Sequence, residues 1–172
     1  IFSYDGIDEG TEWKQWITDN LESKLKIVAG DLSYKDFMYK FQHMQGIVEA
    51  FVEGDIKTSP SVQCRINPLG DCKVISTHDQ LVGGESGQVF LGAYFPAAED
   101  YAIEIGEAGL KVAEALQKAG AMGRFAVDFI SVKENDAWKH YAIEINLRKG
   151  GTTHPFLMLQ FLTNGRADRK VT

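Results

Sequence analysis

The chain has 172 residues, enough for one domain with a substantial core or for two small lobes. A net charge of −6 at pH 7 argues against broad electrostatic binding to nucleic acid or to an anionic membrane. No apolar run approaches the roughly 18 residues that would mark a membrane span. The two cysteines, Cys64 and Cys72, lack metal-type spacing and read as reduced thiols in neighbouring strands, which fits a cytoplasmic location. The chain opens Ile-Phe-Ser with no Met or signal pattern, which reads as an excerpt of a longer protein.

Residues 11–28 carry Trp13, Trp16, Ile17, Leu21, Leu25 and Val28 at helical spacing, so both tryptophans are expected as core anchors. Residues 33–44 open with a Ser-x-x-Asp capping pattern and predict a second helix that buries Phe37, Phe41 and Met44. The character then changes. Residues 46–55 (GIVEAFVEGD) read as a strand running into a turn, and SVQCRI and CKVIST alternate around NPLGD as a hairpin. Residues 80–95 read as a glycine-rich loop leading into an apolar run. Residues 99–120 form a helix with Ile105, Gly109, Val112, Leu116 and Ala119 on one stripe and Gly120 as its C-cap. Strands come next at 124–132 and 141–147, joined by a longer connection, and a short helix at 155–165 completes the order. Two helices, several antiparallel strands, a helix, a strand pair and a helix predict an α+β fold, an antiparallel sheet with helices packed on one face. Residues 1–45 read as a helical lead-in, and 46–165 as the working part of a single module spanning 1–172.

The last strand pair carries chemistry. Residues two apart on a strand share a face, so Glu144, Asn146 and Arg148 lie together, with Ile143, Ile145 and Leu147 facing the core. On the preceding strand Arg124, Ala126 and Asp128 share the face opposite Phe125, Val127 and Phe129. If Val132 pairs with His140, Asp128 stands directly across from Glu144. Two facing carboxylates repel, which favours a shared proton or a bound cation. With the Asn146 oxygen the donors are all hard oxygens, suited to Mg²⁺ or Mn²⁺, and Mg²⁺ commonly completes its shell with water and substrate phosphates. A solvated strand face with surface ion pairs is the plainer alternative. Lys149 and the amides of Gly150, Gly151, Thr152 and Thr153 could form an anion cradle beside the cation. His154 precedes a helix-starting Pro and either orients that turn or touches substrate.

VDF and, after it, EINLR resemble the metal-binding strand pair of the ATP-grasp ligases. The resemblance implies that Asp128, Glu144 and Asn146 bind the Mg²⁺ ions that bridge ATP phosphates, and that Arg148 stabilises negative charge on the reacting groups. IVEAFVEGD resembles the family's adenine-binding hinge. Glu49 would then contact the adenine amino group, Phe51 and Val52 would present backbone groups to the base, and Asp55 would meet the ribose. The blocks SPSVQCRINPLG, STHDQ, YFPA and EINLRKGGTTHPF look most like carboxylate–amine ligases akin to the peptide ligase of pheganomycin biosynthesis. That resemblance implies an ADP-forming ligase that joins a small-molecule carboxylate to an amine or short peptide through an acyl phosphate. The family's phosphate-binding lysine and glycine-rich lid lie before the hinge, where this chain has no room for both, so a missing N-terminal part is the implied partner. Arg124 stands near the position of an arginine found in D-alanine ligases, and His78 in STHDQ is expected to face substrate. A non-catalytic nucleotide-binding or scaffold domain of the same fold is the alternative.

Overall fold

The computed structural model describes residues 1–5, 7–28, 31–84 and 89–165. The chain divides into two compact units, Ile1–Phe51 and Val52–Thr172.

The first unit holds α1 (Trp13–Lys24) and α2 (Tyr34–Met44). Ser33 caps α2: its Oγ accepts the Asp36 amide at 3.1 Å and donates to the Asp36 carboxylate at 2.5 Å. That is the start predicted by the Ser-x-x-Asp pattern. Ahead of α1, Phe2 bridges to Leu25 and meets the edge of the Trp16 ring. The expected core is only partly formed. Trp13 is 54% exposed and Met44 77%, while Trp16, Phe37 and Phe41 are half-buried. Two short helices offer too little facing surface to enclose both sides of such large side chains. Residues 46–54, expected as a strand, carry no regular structure.

Among the described residues the second unit is built on a six-stranded antiparallel sheet. Its strands are β1 (Ile56–Thr58), β2 (Pro60–Ile66), β3 (Cys72–Gly83), β4 (Val89–Tyr94), β5 (Gly123–Glu134) and β6 (Ala137–Asn146). β5 pairs with β1 and β2 along one edge and with β6 along the other, and the sheet continues through β3 to β4. The helix α3 (Ala102–Lys118) packs on β2 and β3, and α4 (Thr153–Leu162) comes after β6. Gly120 takes φ +84° just past α3, as a C-capping glycine does. Residues 85–88 of the glycine-rich stretch lie outside the described residues.

The core lies between α3 and one face of the sheet. Val62, Cys64, Ile66, Phe125, Val127 and Phe129 point to it from β2 and β5, and Tyr101, Ile105 and Ala113 meet them from the helix side. Alternation along the strands produces this, because Ser61, Gln63 and Arg65 must take the opposite face. Ile143, Ile145 and Leu147 depart from expectation. They are 38%, 46% and 62% exposed, since the helix covers β2 and β3 and leaves the β6 edge bare.

The β5–β6 pairing also differs in how it is made. The strands join through a two-residue turn, Asn135–Asp136, both at positive φ, instead of a longer connection. Asn and Asp tolerate that conformation, and it is what a type I′ hairpin turn needs. The turn pairs Val132 with Lys139 and Ser131 with His140, one residue away from the expected Val132–His140 register. A bulge then intervenes. Phe129 faces Ala142, Asp128 faces Glu144, and Ile143 is the extra residue between them. The expected opposition of Asp128 and Glu144 is therefore present, reached by a different register.

Two glycines of α3 give opposite expectations. A Cβ on Gly109 would lie 2.7 Å from Val62 Cγ1, whereas one on Gly106 would meet nothing nearer than Thr77 Cγ2 at 3.9 Å. Gly106→Ala is expected to stabilise by up to about 1 kcal/mol through helix propensity. Gly109→Ala should lose that gain to overpacking, which costs about 1–3 kcal/mol, and come out destabilised. Urea unfolding of the two variants measures the split; equal shifts would show that the close helix–sheet approach at Gly109 is not a constraint.

Candidate functional site

The face of the sheet away from α3 carries a row of polar side chains. Register places His78 of β3 across from Ser61 of β2, Ser61 across from Asp128 of β5, and Asp128 across from Glu144 of β6. In the next row Ser76, Gln63, Ala126 and Asn146 align in the same way. A cavity of about 310 Å³ opens over these rows, lined also by Gln80, Phe90, Arg148, Gly150, Gly151 and Thr152.

Asp128 is the electrostatic centre. Burial raises its pKa above the ordinary carboxylate value, and the facing Glu144 pushes the same way. The Ser61 hydroxyl, the Asn146 amide and Gln80 oppose the rise. Asn146 Nδ2 donates to Asp128 Oδ2 at 2.9 Å. The Ser61 hydroxyl stands close enough to favour the charged form but completes no hydrogen bond. With its amide nitrogen on Asp128, Asn146 keeps its Oδ1 as an acceptor, and it lines the cavity together with the two carboxylates. Among the described residues no three His, Cys, Asp or Glu side chains gather as a metal nest. The donor set is thus two carboxylates and one amide oxygen, which suits a hard cation whose shell water and phosphate complete.

The loop after β6 folds on itself. Arg148 N donates to Asn146 O at 2.7 Å, Thr153 N to Gly150 O at 3.1 Å, and Gly150 N to Thr153 Oγ1 at 3.2 Å. Gln63 Nε2 reaches Thr152 O at 3.3 Å and ties the loop to β2. The Gly150 and Thr153 amides are thus used within the turn, so Gly151 and Thr152 are the amides of the expected cradle that remain. Gly151 sits against Phe90, 4.0 Å from where a Cβ would stand. Thr152 and Thr153 are buried, while Arg148, Lys149 and His154 are exposed, and His154 is the second residue of α4.

The cavity brings together Asp128, Glu144, Asn146, Arg148, Gly150, Gly151, Thr152 and His78 of the expected set. Lys149, Thr153, His154 and Arg124 are outside its lining, although Arg124 shares the face of Asp128. Of the expected hinge, Glu49 and Phe51 belong to the first unit and Val52 and Asp55 to the second. Glu49, Phe51 and Asp55 are exposed, and the Val52 carbonyl accepts Lys57 Nζ at 3.4 Å. Ser61, Gln63, Gln80 and Phe90 were not anticipated. The signal for three of them was present: Ser61 and Gln63, and His78 and Gln80, alternate as polar pairs on strands whose intervening residues include the core Val62.

His78 is fully buried, and burial pushes its pKa down to about 4, with Asp79 opposing. Its ring packs on Phe95 at 4.9 Å, and Phe95 on Phe156 of α4 at 5.6 Å. Asp79 itself points elsewhere, accepting Tyr101 OH at 2.6 Å and the Ala98 amide at 2.8 Å.

Residues 14–170 match the model of the family described as IQCH-like, ATP-grasp. The chain is 36% identical over 135 residues to the L-propargylglycine–L-glutamate ligase of Streptantibioticus cattleyicolor, covering 78% of this chain and 27% of that one. Its fold is similar to that of N5-carboxyaminoimidazole synthetase from Staphylococcus aureus complexed with ADP. That match has a TM-score of 0.51 at 17% identity and covers 73% of this chain and 32% of that one. The chain therefore spans about a quarter of the curated relative's length and about a third of the solved structure's. On the family model and this relative together, the chain belongs to the ATP-grasp superfamily, in its IQCH-like family.

Proposed function

We propose that this chain carries the metal- and phosphate-binding part of an ADP-forming, Mg²⁺-dependent carboxylate–amine ligase, the rest of the ATP site being supplied by a longer protein. The observation that carries the reading is Asp128 directly across from Glu144, with Asn146 bonded to Asp128, over a cavity that also holds Arg148. A scaffold without chemistry has no use for a half-buried Asp128 facing a second carboxylate, because the repulsion and the desolvation of Asp128 both cost stability. The curated relative is named for joining L-propargylglycine to L-glutamate. Carried to this chain, that name supports a small-molecule carboxylate and an amine, such as an amino acid or short peptide, as substrates.

In the proposed reaction a substrate carboxylate oxygen takes the γ-phosphoryl group of ATP, giving an acyl phosphate and ADP. The amine nitrogen then forms the amide C–N bond as the C–O bond to phosphate breaks, and phosphate leaves carrying the proton that the amine gives up. Such chemistry depends mainly on positioning and charge neutralisation. Bound Mg²⁺, or Mn²⁺, supplies neutralisation of phosphate charge. Asp128, Glu144 and Asn146 would hold the cation, and Arg148 would offer a planar fork of donors to a developing oxyanion. The Gly151 and Thr152 amides, with Lys149, receive a phosphate or carboxylate oxygen. Gly150 and Thr153 set the turn, and His154 starts the helix beyond it. Glu49, Phe51, Val52 and Asp55 take the adenine and ribose, a role that rests on the hinge resemblance.

Calorimetric titration of the full-length protein with a non-hydrolysable ATP analogue tests the proposal. Glu144→Ala is expected to weaken Mg²⁺-dependent nucleotide binding at least about tenfold, given what altered metal shells commonly cost. Unchanged binding would remove the metal reading and the ligase with it.

Asp128 yields a second expectation. Its folded-state pKa is raised, so the protonated carboxyl is the form the fold favours. Its contribution to stability is present below the ordinary carboxylate pKa and is lost as pH climbs through the raised value. Asp128→Asn, neutral at every pH, should melt above the parent at neutral pH in metal-free buffer. The two should converge toward about pH 3. The same variant should lose ligase activity, exchanging function for stability. Melting curves in EDTA across pH report the first half; coincident curves throughout would mean the carboxylate carries no desolvation penalty.

A further inference from the structure

His78 lies in the cavity floor with no exposed surface, and among the described residues neither Nδ1 nor Nε2 has a hydrogen-bond partner. Directly across from it on β2, the Ser61 hydroxyl is also buried and completes no hydrogen bond among the described residues, although it stands close enough to Asp128 to favour that carboxylate's charged form. Buried polar groups are nearly always paired, because an unpaired one carries its desolvation cost with no return. Two adjacent orphans lining one cavity are accounted for if a ligand completes them. The imidazole is also held in place on one side, by Phe95, which in turn packs on Phe156.

The chemistry of the ligand is set by the partners the floor lacks. A neutral imidazole always keeps one bare lone pair, and the Ser61 oxygen adds more. Even with Asp128 and Glu144 turned to a cation, these acceptors remain and call for an N–H. Burial that keeps the ring uncharged at neutral pH supports this, since an imidazolium would offer donors alone.

We propose that His78 and Ser61 form the subsite that receives the primary amine of the nucleophilic substrate, with an imidazole nitrogen and the Ser61 oxygen accepting its N–H groups. This assignment rests on the ligase reading, and it separates the two substrates in space. The amine is held on β2 and β3, and the phosphorylated carboxylate is served from β5, β6 and the loop after them.

The test uses ring-¹⁵N histidine-labelled full-length protein with Mg²⁺ and a non-hydrolysable ATP analogue. Two probes discriminate: glycinamide, an amine without a free carboxylate, and N-acetylglycine, a carboxylate without a free amine. Glycinamide should shift a His78 ring resonance saturably, and N-acetylglycine should not. His78→Phe preserves the aromatic stack and removes the orphaned nitrogens, so it should raise the melting temperature. It should also weaken glycinamide binding roughly three- to tenfold, as loss of one hydrogen bond does, and leave nucleotide affinity unchanged. Ser61→Ala, a smaller change, should weaken glycinamide in the same direction. Response to N-acetylglycine instead would reassign the subsite to the acid, and response to neither probe, or unchanged affinity in both variants, would overturn it. Because nucleotide binding is read in the same samples, failure of the ligase reading shows itself separately.

Discussion

The arrangement of the whole polar face depends on one extra residue. The two-residue turn at Asn135–Asp136 fixes a register that, carried unbroken along the strands, would set Asp128 against Ile143 and turn Glu144 to the other side. A single-residue slip in a sheet inverts every side chain beyond it. The bulge at Ile143 applies that slip once, between Ala142 and Glu144, and so restores the acid to the face of Asp128. Every later residue of the chain inherits the correction. Asn146 falls across from Ala126, its amide reaches Asp128, and the loop from Arg148 onward starts from the cavity side.

The sheet is thereby a partition between two kinds of environment. On one side, α3 closes over Val62, Cys64 and Ile66, and its approach is close enough that Gly109 meets Val62 where any side chain would collide. On the other side lie a half-buried carboxylate facing a second one, a buried neutral histidine and a short loop tied down through Gln63 and Thr152. The first face stabilises by excluding water from apolar surface. The second spends part of that stability on polar groups held away from water. The two are coupled through the same strands, because each residue that fixes the core, such as Val62 or Val127, fixes the polar neighbours on either side of it.

Much of this was legible in the residues. The alternation of polar and apolar positions in SVQCRI and EINLR assigns faces correctly, and the helix at Ala102–Lys118 is implied by its apolar stripe and its terminal glycine. The opposition of Asp128 and Glu144 was also legible, because the alternative would have placed a carboxylate among core side chains. Its route was not. Asn-Asp is a weaker turn signal than Asn-Gly, and a bulge leaves no mark in the alternation until its partner strand is known. The first unit failed for another reason. Helical periodicity reports which residues share a side, not whether anything stands opposite, and Trp13 and Met44 find too little to cover them. The same holds for Ile145 and Leu147, whose alternation is right and whose cover is absent because α3 lies over other strands.

The unpaired polar groups bring these points together. Among the described residues, six carry buried side-chain donors or acceptors with no partner, and four of them, Ser61, Ser76, His78 and Arg124, share the face of Asp128. The other two, Thr58 and Trp138, lie on the opposite face. Ser61 and His78 line the cavity beside the paired carboxylates, so their cost of desolvation falls where a ligand can offset it. A polar ligand settling there gains hydrogen bonds from groups that water has already left, so the desolvation that ordinarily weakens polar recognition is met in folding and not in binding. The strand pair with its bulge therefore does more than hold two carboxylates together: it aligns the part of the fold that is least stable alone with the part best prepared to bind.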